Sequence, residues 1–314
     1  MCRLLVSQPP DELHTFSGSE TCLELKLSWQ HEAILRGERS LENVLTEQQI
    51  PPARIPSVHL PPGINRGSDS VRMALSRHNR GAITSFVHEQ LDVLPEARLV
   101  VHPPRKFAHD EQLELIASMS TSFRRTFAIE NLPDSSDWHS LASIAFFAYA
   151  GRKYDRLSQL GLTIDTAHLP SLESNPVVSG IANAGLDRLE SRLIEAGLSI
   201  PPEFTEDVEY RLSQLAEELP PGFTTADLQQ TSFGPSVVSL VLAGDRVSEI
   251  HLNDPVTDEL PVLEGHDSRP LFGTVLRLAK ANDADIVLEP HGVNDRELIS
   301  YASRLETLLK DREY

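Results

Sequence analysis

Six short apolar runs in the chain end on a side chain able to hold a divalent metal ion. They are Ser-Val-His59, Val-Val-His102, Ala-Ile-Glu130, Thr-Ile-Asp165 followed by Thr-Ala-His168, Glu-Ile-His251 followed by Leu-Asn-Asp254, and Val-Leu-Glu289. A buried parallel strand is normally apolar almost throughout. Polar residues recurring at the ends of such runs therefore mark a place where side chains are kept for chemistry. Carboxylates gathered in one place resist joint ionisation, and burying each without a partner is costly. A divalent cation removes both difficulties. Mixed carboxylate and imidazole ligands suit Zn2+, Mn2+ or Fe2+, whereas carboxylates alone suit Mg2+.

Singly, a His or Glu at a strand end is more often a loop hydrogen-bonding group than a ligand. Together, Glu130, Asp165, His251 and Glu289 read as metal ligands, with His59, His102 and His168 beside them. Glu264 and His266, in Leu-Glu-Gly-His-Asp, lie in a loop with no strand to fix them, and both readings stay open there. His291 follows Glu289 by two residues and is a candidate to back it. Asp254 either orients a ligand or caps the following turn.

These residues must be positioned by the elements that carry them. The apolar, β-branched-rich runs are Arg3–Ser7, Cys22–Leu27, Pro56–Leu60, Arg98–His102, Phe127–Asn131, Leu162–Thr166, Glu249–Asn253 and Ile286–Pro290. Segments of helix length separate them, and this alternation predicts parallel strands in an α/β fold. Eight runs match a (β/α)8 TIM barrel, a single domain over residues 1–314, whose strand carboxyl ends converge on one mouth. The first run is followed by a segment short for a helix. Apolar spacing predicts helices within residues 70–94, 111–120, 140–150 and 295–310. About 85 residues separate Asp165 from His251, where one barrel unit needs roughly 30. We therefore expect a helical insertion after the sixth strand, over residues 171–240, with helices near 178–197 and 205–219. Such an insertion caps one end of the barrel, covers the site, or only adds packing.

Composition narrows the function classes. The chain carries 28 basic and 46 acidic residues, net −18, and five of the basic residues are lysine. That balance argues against a general nucleic-acid coating protein, which has the opposite sign. It leaves room for a local basic groove. Two cysteines, Cys2 and Cys22, make no disulfide framework and read as free thiols. No apolar run reaches the roughly 18–20 residues of a membrane helix, and the start lacks the apolar run of a leader. The expectation is a soluble cytoplasmic protein without a membrane partner; the oligomeric state is not legible.

The strand-end motifs resemble those of the xylose-isomerase-like barrel superfamily, and within it the type IV apurinic endonucleases, over about residues 55–292 outside the insertion. The similar stretches are His59-Leu-Pro-Pro-Gly-Ile64-Asn65, His102-Pro103-Pro104, Ile129-Glu130-Asn131, Ile164-Asp165-Thr166-Ala167-His168, His251-Leu-Asn-Asp254 and Glu289 after apolar residues. The resemblance implies three zinc ions. His59, His102 and Glu130 would hold one. Asp165, His251 and Glu289 would hold a second, with Glu130 bridging. His168 would help hold a third, with Glu264 and His266 in place of that family's Asp-x-His pair. Asn65, Asn131, Asp254 and His291 would support the ligands or the substrate. The chain departs from the pattern where Pro62 replaces a DNA-inserting tyrosine, and where Leu132-Pro-Asp-Ser-Ser replaces a glycine-rich stretch.

Two functions follow. One is a metal-dependent phosphodiesterase of the endonuclease type, with Glu130 bridging two or three Zn2+ (or Mn2+) ions and Glu289 orienting the water, acting on a phosphoester, damaged DNA included. The alternative is a sugar or sugar-phosphate isomerase or epimerase. It needs one divalent ion on Glu130, Asp165, His251 and Glu289, with two carboxylates as acid and base. A barrel retaining only a binding role is a third, weaker reading.

Overall fold

A computed structural model of the chain describes residues 2–16, 20–61, 73–103, 109–131, 141–169, 202–255, 257, 259–261, 263, 269–289 and 294–310. Eight strands run parallel and close on themselves: β1 (Leu4–Gln8), β2 (Cys22–Lys26), β3 (Ser57–His59), β4 (Arg98–Val101), β5 (Phe127–Glu130), β6 (Leu160–Asp165), β7 (Val247–His251) and β8 (Asp285–Leu288). Each pairs with its sequence neighbours, and β8 returns to β1. All eight sequence runs are strands, and the (β/α)8 barrel is the fold.

The helices are α1 (Glu32–Leu35), α2 (Leu41–Glu47), α3 (Arg80–Gln90), α4 (His109–Phe123), α5 (Leu141–Lys153), α6 (Pro202–Glu218), α7 (Gly234–Ala243), α8 (Arg269–Ala281) and α9 (Asp295–Lys310). After β1 the chain makes only a 3-10 turn, Leu13–Phe16, whose Leu13 and Phe16 are buried. This explains why that connection is short for a helix.

Within the stretch expected as an insertion, α7 packs on β6 and between α5 and α8. It is a ring helix of the barrel, so the end of the 171–240 stretch belongs to the barrel. Apolar spacing alone does not separate a ring helix from an added one. Helix α6 buries Phe204, Val208, Leu212 and Leu215 on one face and packs on α5 and α7. The helix expected near 178–197 lies outside the described residues. No helix among the described residues is long and apolar enough to cross a membrane.

Strand alternation sorts side chains into two populations. Leu4, Val6, Leu23, Leu25, Val58, Phe127, Ile129, Leu162, Ile164, Ile250, Ile286 and Leu288 join the main hydrophobic core under the helices. The alternate residues face the barrel axis. Only Leu5, Val100, Ala128 and Val287 form an apolar layer there, buried but apart from the main core. The rest of the interior is polar. At its floor Arg98 of β4 pairs with Asp285, and donates to the Ser248 carbonyl. Arg3 also holds Asp285, at 2.7 Å.

One irregularity decides the site. Leu162 pairs with Val247, but Thr163 pairs with Glu249, so Ser248 is an extra residue in β7. A bulge of one residue shifts which side chains point inward. Here it turns Glu249 and His251 toward the axis. Gly161 of β6 makes room, since a Cβ there would collide with the Ser248 side chain.

Candidate metal centre

His59, Glu130, Asp165 and His251 are the last residues of β3, β5, β6 and β7, while His102 and Glu289 lie just past β4 and β8. All but His102 are buried, and the His102 side chain is only 12% exposed. The inward pleat at each strand end brings them together. Glu130 is central. Its Oε2 lies 2.9 Å from His59 Nε2 and 2.8 Å from His102 Nε2. Its Oε1 lies 3.3 Å from His251 Nδ1. The two imidazoles of His59 and His102 stack with ring centres 4.9 Å apart. Glu289 Oε1 lies 3.5 Å from His251 Nδ1.

Asp165 is fixed by its neighbours. Its Oδ1 accepts from the Ala167 amide at 2.9 Å, and His168 Nδ1 lies 3.1 Å from its Oδ2. Asn131 ties β5 to β6: its amide nitrogen donates to the Asp165 carbonyl, and its oxygen accepts from the Asp165 amide. Asp254 Oδ1 accepts from the Thr257 amide, which is the turn-capping role. Asn65, Glu264, His266 and His291 lie outside the described residues, as does Pro62.

Three residues of the barrel interior were not read as site residues from the sequence. Glu24 of β2, fully buried, accepts from Ser7 Oγ at 2.7 Å and sits 3.2 Å from His251 Nε2. Glu249 of β7 places Oε1 3.2 Å from the same nitrogen, where it also accepts from Thr163 Oγ1, and its Oε2 faces Arg98. Lys26, also of β2, places Nζ 2.5 Å from Glu289 Oε1. The available signal was a charged residue inside an apolar strand, as in Leu-Glu-Leu-Lys-Leu, and not only at its end.

These groups disturb one another's proton affinities. Burial pushes the His59 imidazole down, but Glu130 and Glu24 outweigh it and hold its pKa up at about 9. Burial of His251 is likewise outweighed by Glu24 and Glu289, which raise it well above its ordinary value. Burial would raise Glu130, yet His102 and His59 draw it well below the usual carboxylate range. His251 and His59 do the same for Glu24. Asp165 goes the other way: burial, then Glu130 and Glu289, lift it to about 6 against the pull of His168. Burial and Glu24 raise Glu249. Free of metal, the pocket balances its charge with imidazolium–carboxylate pairs and Lys26.

The donor set fits divalent metal. Two groups, His59–His102–Glu130 and Glu130–Asp165–His251, each offer ligand atoms within 4.8 Å of one another, and they share Glu130. A third, Glu24–His59–His251–Glu289, lies deeper. The Nδ1 atom of His251, which faces Glu130, is buried without a hydrogen bond among the described residues. Buried polar atoms are rarely left so.

The fold and the centre together define a (β/α)8 barrel with a buried imidazole–carboxylate site at its carboxyl mouth. Solved structures like it include an AP endonuclease, family 2, from Brucella melitensis, with TM-score 0.50 and 11% identity over 96% of this chain and 98% of that one. Another is endonuclease IV from Thermus thermophilus, with TM-score 0.47 and 13% identity over 97% and 99%. At such identities the likeness is one of fold. No protein-family model and no curated protein matches the chain.

Proposed function

We propose that the chain is a metal-dependent phosphodiesterase of the endonuclease type, working with a multinuclear Zn2+ or Mn2+ centre. The observation that carries this reading is the position of Glu130, one carboxylate shared by two three-residue ligand groups. A single-ion isomerase site has no need of the His59–His102 side of it. When bound, divalent ions supply Lewis acidity and make a water acidic enough to attack phosphorus near neutral pH.

The chain's own residues divide the remaining work. His59, His102 and Glu130 would hold one ion. Asp165, His251 and Glu289 would hold another, with Glu130 contributing to both. His168, beside Asp165, would help hold a third, together with Glu264 and His266. Glu289 would orient the attacking water and take its proton, and Lys26, bonded to Glu289, would limit the negative charge there. Asn131 keeps Asp165 in place. The substrate is a phosphoester, with damaged DNA as one member of that class; Pro62 and the net charge of −18 favour a smaller one.

The test is metal content and turnover on the zinc-loaded chain. Two or three ions per chain, with hydrolysis of bis(p-nitrophenyl) phosphate or an abasic duplex that Glu130→Gln abolishes, supports the proposal. One ion per chain with aldose–ketose turnover replaces it by the isomerase reading, for which Glu130, Asp165, His251 and Glu289 suffice.

A further inference from the structure

We infer that Glu24 is a positioning residue that sets the ligating nitrogen of two histidines at once, and so couples two metal positions through one carboxylate. The inference rests on the metal reading above and adds a residue that the strand-end motifs do not contain.

A neutral imidazole that binds a metal through one nitrogen carries its proton on the other, and that N–H needs an acceptor. For His102 the acceptor is backbone: Nε2 faces Glu130, and Nδ1 lies 3.0 Å from the Leu60 carbonyl. His251 faces Glu130 through Nδ1, at 3.3 Å, so its far nitrogen is Nε2, 3.2 Å from Glu24 Oε2. His59 faces Glu130 through Nε2, at 2.9 Å, so its far nitrogen is Nδ1. Two carboxylate oxygens lie within 4 Å of that atom among the described residues: Glu24 Oε1 at 3.8 Å and Glu289 Oε1 at 3.9 Å. His59 Nδ1 makes no hydrogen bond in the metal-free arrangement; with Glu289 engaged as a ligand, Glu24 is the carboxylate left to face it, at 3.8 Å. The two histidines present opposite nitrogens to the centre, and a single carboxylate beneath them fits both.

The frame around Glu24 is built to hold it. Ser7, its register neighbour on β1, donates to Oε1 at 2.7 Å and leaves Oε2 for His251. Glu249 also touches His251 Nε2 through Oε1, an oxygen that accepts from Thr163 as well, while Arg98 faces its Oε2, and no contact of Glu249 with His59 is found among the described residues. Glu24 alone among the described carboxylates below the centre serves both rings.

The experiment measures zinc affinity by chelator competition in the full chain and in Glu24→Leu and Glu24→Gln. Losing a carboxylate that orients a ligand costs roughly 10–100-fold in metal affinity. We expect Glu24→Leu to weaken two ions, each by at least about tenfold. Glu24→Gln, with one acceptor oxygen instead of two, should fall between it and wild type. Long-range 1H–15N spectra of the zinc-loaded wild type keep the inference testable if a variant does not fold. They should show the proton on His59 Nδ1 and on His251 Nε2. A proton on the opposite nitrogen of either ring overturns the inference, as does weakening of one ion alone. Clean loss of one whole ion with the others unchanged also overturns it, because Glu24 would then be a ligand of the deeper group. A wild type that retains no zinc removes the metal reading and this one together. A wild type that retains zinc with Glu24→Leu equal to it removes only the role of Glu24.

Discussion

Replacing Glu130 by glutamine keeps its volume and removes the charge that three imidazoles face, at 2.9, 2.8 and 3.3 Å. Two effects follow, and they separate by adding zinc. Free of metal, the carboxylate stabilises the fold by holding His59 protonated, with a pKa of about 9 against an ordinary 6.5. Each factor of ten in proton affinity is ~1.4 kcal/mol. At pH 7 the His59 proton therefore contributes about 2–3 kcal/mol, shared between Glu130 and Glu24. Losing the larger share costs about 2 kcal/mol for this ring, which can shed its proton instead of staying charged and unpaired. For a chain of this size that is roughly 4 °C in melting temperature. With zinc at about 100 times Kd, each bound ion adds about 2.7 kcal/mol to the wild type. Two ions should raise its melting temperature by roughly 10 °C, and the variant, lacking the shared ligand, should gain less than half of that. Scanning fluorimetry with and without zinc, beside a zinc count, reads both effects. A variant that binds as many ions as wild type and gains the same increment would refute the bridging position of Glu130.

Three further outcomes follow from the same contacts. A group whose pKa is raised on folding stabilises below its unfolded pKa and stops doing so as pH climbs through the folded one. For His59 the window runs from 6.5 to about 9, so the metal-free melting temperature should fall across it while zinc affinity rises as the imidazole protons leave; a metal-free profile that is flat or rises there contradicts this. Lys26→Met removes a cation 2.5 Å from Glu289, and zinc affinity should tighten by about tenfold, a value discounted for the 37% exposure of the lysine side chain; weaker zinc binding would show instead that Lys26 supports the centre. Arg98→Met leaves buried Glu249 without its cation and Asp285 with Arg3 alone, which should cost about 3 kcal/mol in urea unfolding; a loss below about 1 kcal/mol would mean that water reaches the floor of the barrel.

The strands were legible because short apolar, β-branched-rich runs recur between segments of helix length, and because polar residues at the ends of apolar runs are rare enough to notice. The same logic brought His59, His102, Glu130, Asp165, His251 and Glu289 to one mouth. Glu24 and Lys26 were missed for a definite reason. They sit inside a run, where a charge is read as an interruption and not as a second polar layer beneath the first. The bulge at Ser248 leaves no mark in Val-Ser-Glu-Ile-His, yet without it β7 would send His251 outward into the helices. The ring helix α7 was folded into the expected insertion because an apolar segment has no spacing that tells a barrel neighbour from a helix added outside it.

Helix α7, Gly-Pro-Ser-Val-Val-Ser-Leu-Val-Leu-Ala, is buried along its whole length and carries no charge. In a plain barrel a ring helix shows one face to water, and this one has none fit for it. Its partner in that respect is α6, whose Phe204 also meets Phe146 and Tyr149 of α5 edge-on. Helix α6 thereby covers apolar surface that α7 would otherwise show. A shortened chain without residues 202–218 would bare a greasy cylinder beside the sixth strand, and its copies would seek one another.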